Sequence, residues 1–316
     1  VKGKLALDEM IEAISDAKER FPTLRVAVFS GGEATMLKRD LTAAIAHATG
    51  EGLSTRIVSN GSWGKTQAAA TKKVAELVAA GLKELNLSTG KDHQEWVPAT
   101  SIMHCAVAAA GCGLFCLITI EADVEGNPHF RAVVDQPEIQ ELLKSRKIVI
   151  QSNSWMPFQE SDDKRDAHVA KHTLRKGCGQ IFDNIVVTPY REVSACCGLT
   201  LEYIPEMKLG SLDSQTVSAA YLSQTDDFLK YWIHTDGPYS IIEEMLGEER
   251  SAEVLKGVVH ICQACVILHQ NQEVRAKLSE RHQEFLPSVM TRFFMAKAIG
   301  SVGQHSSIAK HAMEAE

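Results

Sequence analysis

Short apolar, β-branched runs alternate with amphipathic stretches through the first half of the chain. Residues 25–29 (RVAVF) run into SGGE, 55–58 (TRIV) into SNG, 84–87 (ELNL) into STG, 114–120 (LFCLITI) into EAD, and 147–150 (KIVI) into QSN. The polar residues that stop these runs are Ser30, Ser59, Ser88, Glu121 and Gln151, spaced 29, 29, 33 and 30 residues apart. Between them Leu7, Met10, Ile11, Ile14 and Phe21 fall on one helical face, as do Leu41, Ile45 and Ala48 and the stretch 68–80. Near-continuous apolar strands alternating with such helices predict a parallel sheet covered by helices. In a parallel barrel every strand ends at the same rim, where the loops build the site. The five polar endings are therefore expected to converge on one mouth.

After Gln151 the pattern changes. A polar stretch, 159–166, contains ESDDKRD. A hairpin is predicted next, with strands at 185–188 and 192–195 and its turn at Pro189-Tyr190. Beyond Gly198 the pattern is mostly helical, with 241–246, 252–272 and 287–299 as helices and a tail from Gly300 expected to fray. Two regions result, 1–160 and 161–316.

Composition narrows the function. The chain has 316 residues, 33 Lys+Arg against 40 Asp+Glu and a formal charge of -7, which argues against a broad basic face for nucleic acid. No apolar run approaches the ~18–20 residues that cross a bilayer, so no membrane partner is expected. The opening residues, VKGKLALDEM, lack a secretory pattern. The eight cysteines (Cys105, Cys112, Cys116, Cys178, Cys196, Cys197, Cys262 and Cys265) read as thiols of a cytoplasmic protein.

Several loops carry candidate chemistry. Ser30–Glu33 offers two glycines for close backbone approach and a carboxylate that can accept from an ammonium group; the plain alternative is a tight turn with an N-capping acid. SNGSWGKT, 59–66, is one residue short of a phosphate-binding loop, because Ser59 stands where G-x-x-x-x-G-K-[ST] needs glycine. Gly64, Lys65 and Thr66 are the basis of a nucleotide-triphosphatase alternative. Asp92 and His93 follow the third strand closely enough for acid–base or hydrogen-bonding contact with a substrate. Cys196-Cys197-Gly198 and Cys262-x-x-Cys265 place two cysteine pairs in one small region, a pattern for a metal or iron–sulfur site. Cys105, Cys112 and Cys116 lie in apolar stretches and read as core.

Together these motifs resemble the radical S-adenosylmethionine (radical SAM) superfamily, over nearly the whole chain. Gly31, Gly32 and Glu33 match its Gly-Gly-Glu strand ending, with Ala34 in place of the usual Pro. SNGSWGK (59–65) and LSTGKDHQEWVP (87–98) are similar to the next two strand endings of a peptide-maturase-like subgroup, with Gly90 replacing an Asp. The stretches ACCGLTLEYIPEMKLGSL, DGPYSIIEEM and HICQACVILHQNQEVRAKL resemble that subgroup's C-terminal region. The resemblance implies a partial (β/α)6 barrel, here without its first strand, followed by a mostly helical region. It implies an enzyme that reductively cleaves S-adenosylmethionine to methionine and a 5'-deoxyadenosyl radical, which takes hydrogen from a peptide or small-molecule substrate. Gly31, Gly32 and Glu33 would hold the amino group; Ser59, Asn60 and Ser88 the ribose or carboxylate; Gln151 and Ser152 would lie near adenine. Cys196, Cys197, Cys262 and Cys265 would serve an auxiliary cluster, and an electron donor such as flavodoxin or ferredoxin would be a partner. The family's C-x3-C-x2-C loop for the catalytic four-iron four-sulfur cluster is missing: Cys112-x3-Cys116 has Thr119 at the third place and lies in another strand. With Val1 opening the chain where that loop would end, a truncated, inactive enzyme is the expectation, and a degenerate binding or scaffold homologue the alternative.

Overall fold

A computed structural model describes residues 3–121, 127–153 and 171–313, with side chains to residue 299 apart from that of residue 171. The polar stretch 159–166 lies outside the described residues. The protein is α/β. Its five strands β1 (Val26–Phe29), β2 (Ser54–Ser59), β3 (Glu84–Thr89), β4 (Phe115–Glu121) and β5 (Ile148–Asn153) form one sheet in sequential order, with every neighbouring pair parallel. Helices α1 (Leu7–Arg20), α2 (Arg39–Gly50), α3 (Gln67–Ala79), α4 (Lys91–Gln94), α5 (Ala99–Gly111), α6 (Pro128–Val134) and α7 (Pro137–Lys144) precede and connect them.

Local chemistry sets the helix starts. The Glu9 carboxylate accepts from the Ala6 N–H at 2.8 Å and places negative charge in the first turn of α1. Thr66 caps α3 by accepting from Ala69 N–H at 3.2 Å. Asn127 accepts from His129 N–H at 2.8 Å, with Pro128 at the first helical position of α6.

The period-2 alternation gives the sheet two unlike faces. Phe29, Ile57, Leu85, Cys116 and Ile148 are mutual partners in adjacent strands and are all buried. Leu87, Ile118 and Ile120 continue that layer, which packs on Leu41, Ile45, Val74, Leu77, Ile102 and Ala106 from the helices. On the opposite parity Val28, Phe115 and Val149 are 49%, 49% and 46% exposed, and Arg56 pairs with Glu84 at 2.8 Å. Among the described residues, the helices cover one face of the sheet and leave the other open.

The chain divides into two compact units, Val1–Ala167 with Val187–Glu192 and Ser211–Ser218, and His168–Val186 with Val193–Gly210 and Ala219–Glu316. A small sheet of order β6 (Val186–Val187), β7 (Glu192–Ser194) and β8 (Lys208–Ser211) includes the expected hairpin. Thr188 N–H donates to Glu192 O at 2.8 Å, and Arg191 N–H closes the turn on Thr188 O at 3.1 Å.

The second unit is helical: α8 (Lys171–Leu174), α9 (Val217–Leu222), α10 (Phe228–Asp236), α11 (Pro238–Leu246), α12 (Glu248–Val254), α13 (Ile261–Gln270) and α14 (Gln272–Met313). Its core gathers Trp232, Ile241, Ile242, Leu268, Val274 and Val289, with Trp232 stacked on Phe285 at 4.7 Å between centroids. Two expectations are corrected. The single helix expected over 252–272 is broken: His260 accepts from Cys262 N–H at 3.1 Å to start α13, and Asn271 accepts from Val274 N–H at 3.1 Å to start α14. The tail expected to fray from Gly300 belongs to α14, whose helix continues to Met313. Among the described residues, no helix is long and apolar enough to cross a membrane.

Candidate functional site

The β1 ending and the β2 ending are tied together by one carboxylate. Gly31 and Gly32 take φ of +89° and +45°, and a Cβ on Gly31 would meet nothing within 4 Å, so this backbone stands open. Glu33 follows and caps the short turn Ala34–Leu37. It accepts from Thr35 N–H at 3.2 Å, Thr35 Oγ1 at 2.6 Å, Ser59 Oγ at 2.9 and 3.0 Å, and Asn60 N–H at 2.9 Å. Ser59 in turn accepts from Trp63 Nε1 at 2.8 Å and Gly61 N–H at 3.1 Å. The Asn60 side chain accepts from Ser62 N–H at 3.0 Å through Oδ1. Gly64 is held against α5: a Cβ there would lie 2.4 Å from Cys105 Sγ and 2.7 Å from Ser101 O. The two glycines and the backbone of this loop therefore serve a folded turn packed on the core.

Further along the rim the register lines up a polar row. Ser88 is the partner of Thr119, and Thr119 of Gln151. Ser59 pairs with Leu87, so Asn60 and Ser88, one step beyond, extend the row. Adjacent strands are ~4.8 Å apart, so Asn60, Ser88, Thr119 and Gln151 span ~14 Å across the open face. Gln151 donates to Asn153 Oδ1 at 3.0 Å, while Ser88 Oγ has no hydrogen-bond partner among the described residues. Ser152 pairs with Ile120, which points to the helix-covered side, so alternation separates it from Gln151. Thr119 was not among the site residues singled out from sequence, because the stop read for this strand was Glu121, whose partner is Asn153.

Asp92 and His93 lie on α4, just past Gly90, whose φ is +146°. A Cβ on Gly90 would sit 2.3 Å from Glu121 Cβ, so the β3 turn rests against the buried Glu121. Asp92 is exposed and His93 half-buried; burial lowers the His93 pKa, with the Asp92 charge opposing. Gln94 anchors this turn to the start of α6. It donates to Thr89 Oγ1 at 3.3 Å and His129 O at 2.8 Å, and its Oε1 lies 3.0 Å from His129 Nδ1.

In the second unit the cysteine pairs come together with a fifth thiol. Positions for a Cβ on Gly198 lie 3.3 Å from Cys262 Sγ and 3.5 Å from Cys196 Sγ, so those two sulfurs stand no further apart than the two distances combined. Burial raises the pKa of Cys196 to about 11, with Cys178, Cys262 and Cys197 adding to the rise. Cys265 is raised by burial and by Cys196, Cys262 and Cys178. Cys262 is raised by burial, with Cys178 and Cys197 contributing. Cys178, which the sequence reading left unassigned, is therefore a common neighbour of the set. Cys197 Sγ instead donates to Gln180 Oε1 at 2.9 Å.

Cys178 is placed by a close crossing of two backbones. Its N–H donates to Ile233 O at 3.0 Å. A Cβ on Gly177 would lie 2.1 Å from His234 O, and one on Gly237 would lie 1.9 Å from Lys176 O. Glycine is required on both sides of that crossing. Among the described residues no three His, Cys, Asp or Glu side chains are gathered closely enough for one metal ion. A single tetrahedral zinc would need its sulfurs ~3.8 Å apart, whereas a cluster with bridging sulfides keeps its ligands wider. The donors here are four or five thiols, a ligand type shared by zinc, copper(I) and iron–sulfur clusters.

No protein-family model matches the chain, and no curated protein matches it.

Proposed function

We propose that the first unit is the S-adenosylmethionine-binding core of a radical SAM enzyme acting on a peptide or small molecule. The observation that carries this reading is the meeting, at one end of a parallel sheet, of the open diglycine turn, the interlocked β1 and β2 endings and the polar row from Asn60 to Gln151. The sequential strand order supports a partial barrel. Right-handed crossovers between sequential parallel strands put all helices on one side, and curling such a sheet turns its open face inward. That face would then line a cavity with the polar row at its mouth.

In this reading the Gly31–Glu33 turn receives the amino group, Asn60 and Ser88 meet ribose hydroxyls or the carboxylate, and Gln151 alone borders the adenine side, because Ser152 faces the helices. Asp92 and His93 stand at the mouth, where a substrate enters. A reduced four-iron four-sulfur cluster supplies the electron for sulfonium cleavage in this chemistry. Cys105, buried on α5, and Cys116, buried at the start of β4 away from the rim, are not placed to supply its ligands. Cys178, Cys196, Cys262 and Cys265 are proposed to hold an auxiliary cluster, with Cys197 retained by Gln180. Burial raises the pKa of Cys196, Cys262 and Cys265, so bound iron has to displace the protons of those three thiols.

The triphosphatase reading meets a physical obstacle. The N–H of Asn60 and the hydroxyl of Ser59, at the start of the apparent phosphate loop, already face the Glu33 carboxylate. A negative group stands where a phosphate would need donors. Calorimetric titration separates the two. S-adenosylmethionine is expected to bind and MgATP not to; binding of MgATP alone, by a folded chain, would overturn the proposal.

A further inference from the structure

We infer that Glu33 is a positioning residue whose side chain locks the β1 ending onto the β2 ending, leaving the ligand's ammonium group to the backbone of Gly31 and Gly32. This rests on the proposed S-adenosylmethionine site and alters the role of one residue in it.

The argument is an account of hydrogens. An ionised carboxylate offers about four lone-pair sites. Four protein hydrogens reach Glu33: the Thr35 N–H at 3.2 Å, the Thr35 hydroxyl at 2.6 Å, the Ser59 hydroxyl shared between both oxygens at 2.9 and 3.0 Å, and the Asn60 N–H at 2.9 Å. Ser59 is equally full. It has one hydrogen, directed to Glu33, and accepts two, from Trp63 Nε1 and Gly61 N–H. Ser59 is also buried, 3% exposed, so water does not replace a partner that leaves. An ammonium group reaching Glu33 would have to displace one of these donors and strand it. The carbonyls of Gly31 and Gly32 accept no backbone hydrogen bond among the described residues, and their turn is exposed. They are acceptors that an ammonium group can use without breaking anything.

The consequence is a coupling between two loops. Glu33 lies on the β1 side, whereas Ser59, Asn60, Gly61 and Trp63 lie on the β2 side. Removing the carboxylate loosens the turn that presents Asn60, so every part of the ligand that meets this turn is affected, and not the amino end alone.

Two ligands distinguish positioning from contact: S-adenosylmethionine, and methylthioadenosine, which lacks the amino-acid end. The variant is Glu33→Gln, in which an amide NH2 replaces one acceptor and opposes a donor. Amide hydrogen exchange at Asn60 and Gly61 in the ligand-free chain is expected to quicken at least about tenfold. Affinities for the two nucleosides are expected to fall by the same factor. A loss confined to S-adenosylmethionine would overturn the inference in favour of direct contact, and so would unchanged exchange. If Glu33→Gln does not fold, Thr35→Val removes one of the four donors and is read by the same two measurements. Should the unaltered chain bind neither nucleoside, the S-adenosylmethionine reading fails, while the exchange rates still decide whether Glu33 is the clamp.

Discussion

Replacing Gly237, at the crossing beside Cys178, should cost about 1–3 kcal/mol more than replacing Gly247 elsewhere in the second unit. Gly237 has φ 82° and ψ 156°, and Gly247 has φ 76° and ψ 170°, so both occupy the same region reserved for glycine. Alanine there costs on the order of 1–3 kcal/mol from backbone strain alone. At Gly247 the new Cβ meets nothing within 4 Å, and strain is the whole effect. At Gly237 the Cβ would lie 1.9 Å from the Lys176 carbonyl oxygen and 2.8 Å from its carbon. Both are backbone atoms, so no rotamer change relieves the overlap, and a further ~1–3 kcal/mol follows from overpacking. Gly177→Ala samples the other side: its φ is not positive, but its Cβ would lie 2.1 Å from His234 O. The order expected is therefore Gly237→Ala most destabilised, with Gly177→Ala and Gly247→Ala each about 1–3 kcal/mol below the parent. Urea unfolding of the full chain, followed by far-ultraviolet circular dichroism, measures this. The two changes that press on the crossing should also reduce retained iron, because the crossing sets Cys178. Gly247→Ala should not. A Gly237→Ala chain within about 0.5 kcal/mol of Gly247→Ala would refute the steric argument, since that gap is below the smallest overpacking cost.

Three further outcomes follow from named contacts. Ser59→Ala strands the Trp63 indole N–H and the Gly61 N–H, so a loss of about 2 kcal/mol or more in urea unfolding is expected, with altered Trp63 fluorescence; an unchanged midpoint would mean that the network carries no stability. After anaerobic reconstitution, Cys178→Ala should lose iron as fully as Cys265→Ala while Cys197→Ala retains it, by elemental analysis; the reverse order would exchange the roles of Cys178 and Cys197. Burial depresses the His93 pKa below its ordinary 6.5, so the unfolded chain binds the extra proton first. Its contribution is then present in full above pH 6.5 and declines as the pH falls from there through the depressed value. His93→Gln should flatten that part of a plot of stability against pH, and an unaltered slope would remove the assignment.

How far the sequence could be read follows from which contacts are local. The five strands were legible because each is a short apolar run with a polar stop, but the stops did not give the register: Glu121 is the partner of Asn153, and it is Thr119, two residues earlier, that aligns with Ser88 and Gln151. The faces were not legible either, since near-continuous apolar runs do not show that Phe115 is exposed while Cys116 beside it is buried. Glu33 was read as an acceptor without knowing what it accepts from: two of its partners, Ser59 and Asn60, lie 26 and 27 residues away. A turn motif shows that a carboxylate is present, not whether its lone pairs are already engaged.

Cys178 shows the same limit more sharply. The pairs Cys196-Cys197 and Cys262-x-x-Cys265 announce themselves by spacing, whereas Cys178 is alone in its stretch. What brings it to the others is the crossing at Gly177 and Gly237, glycines 60 residues apart that have meaning only as a pair. The breaks in the expected helix over 252–272 were local but quiet: His260 and Asn271 cap through side chains whose identity alone does not separate a helix start from a helix interior. A start becomes recognisable when the capping side chain is matched with an N–H two or three residues on that has no helical acceptor. The Cys262 N–H is in that position. The cap on His260 thus both begins α13 and holds the first thiol of the C-x-x-C pair, so the break in the helix and the placement of the thiol are one feature.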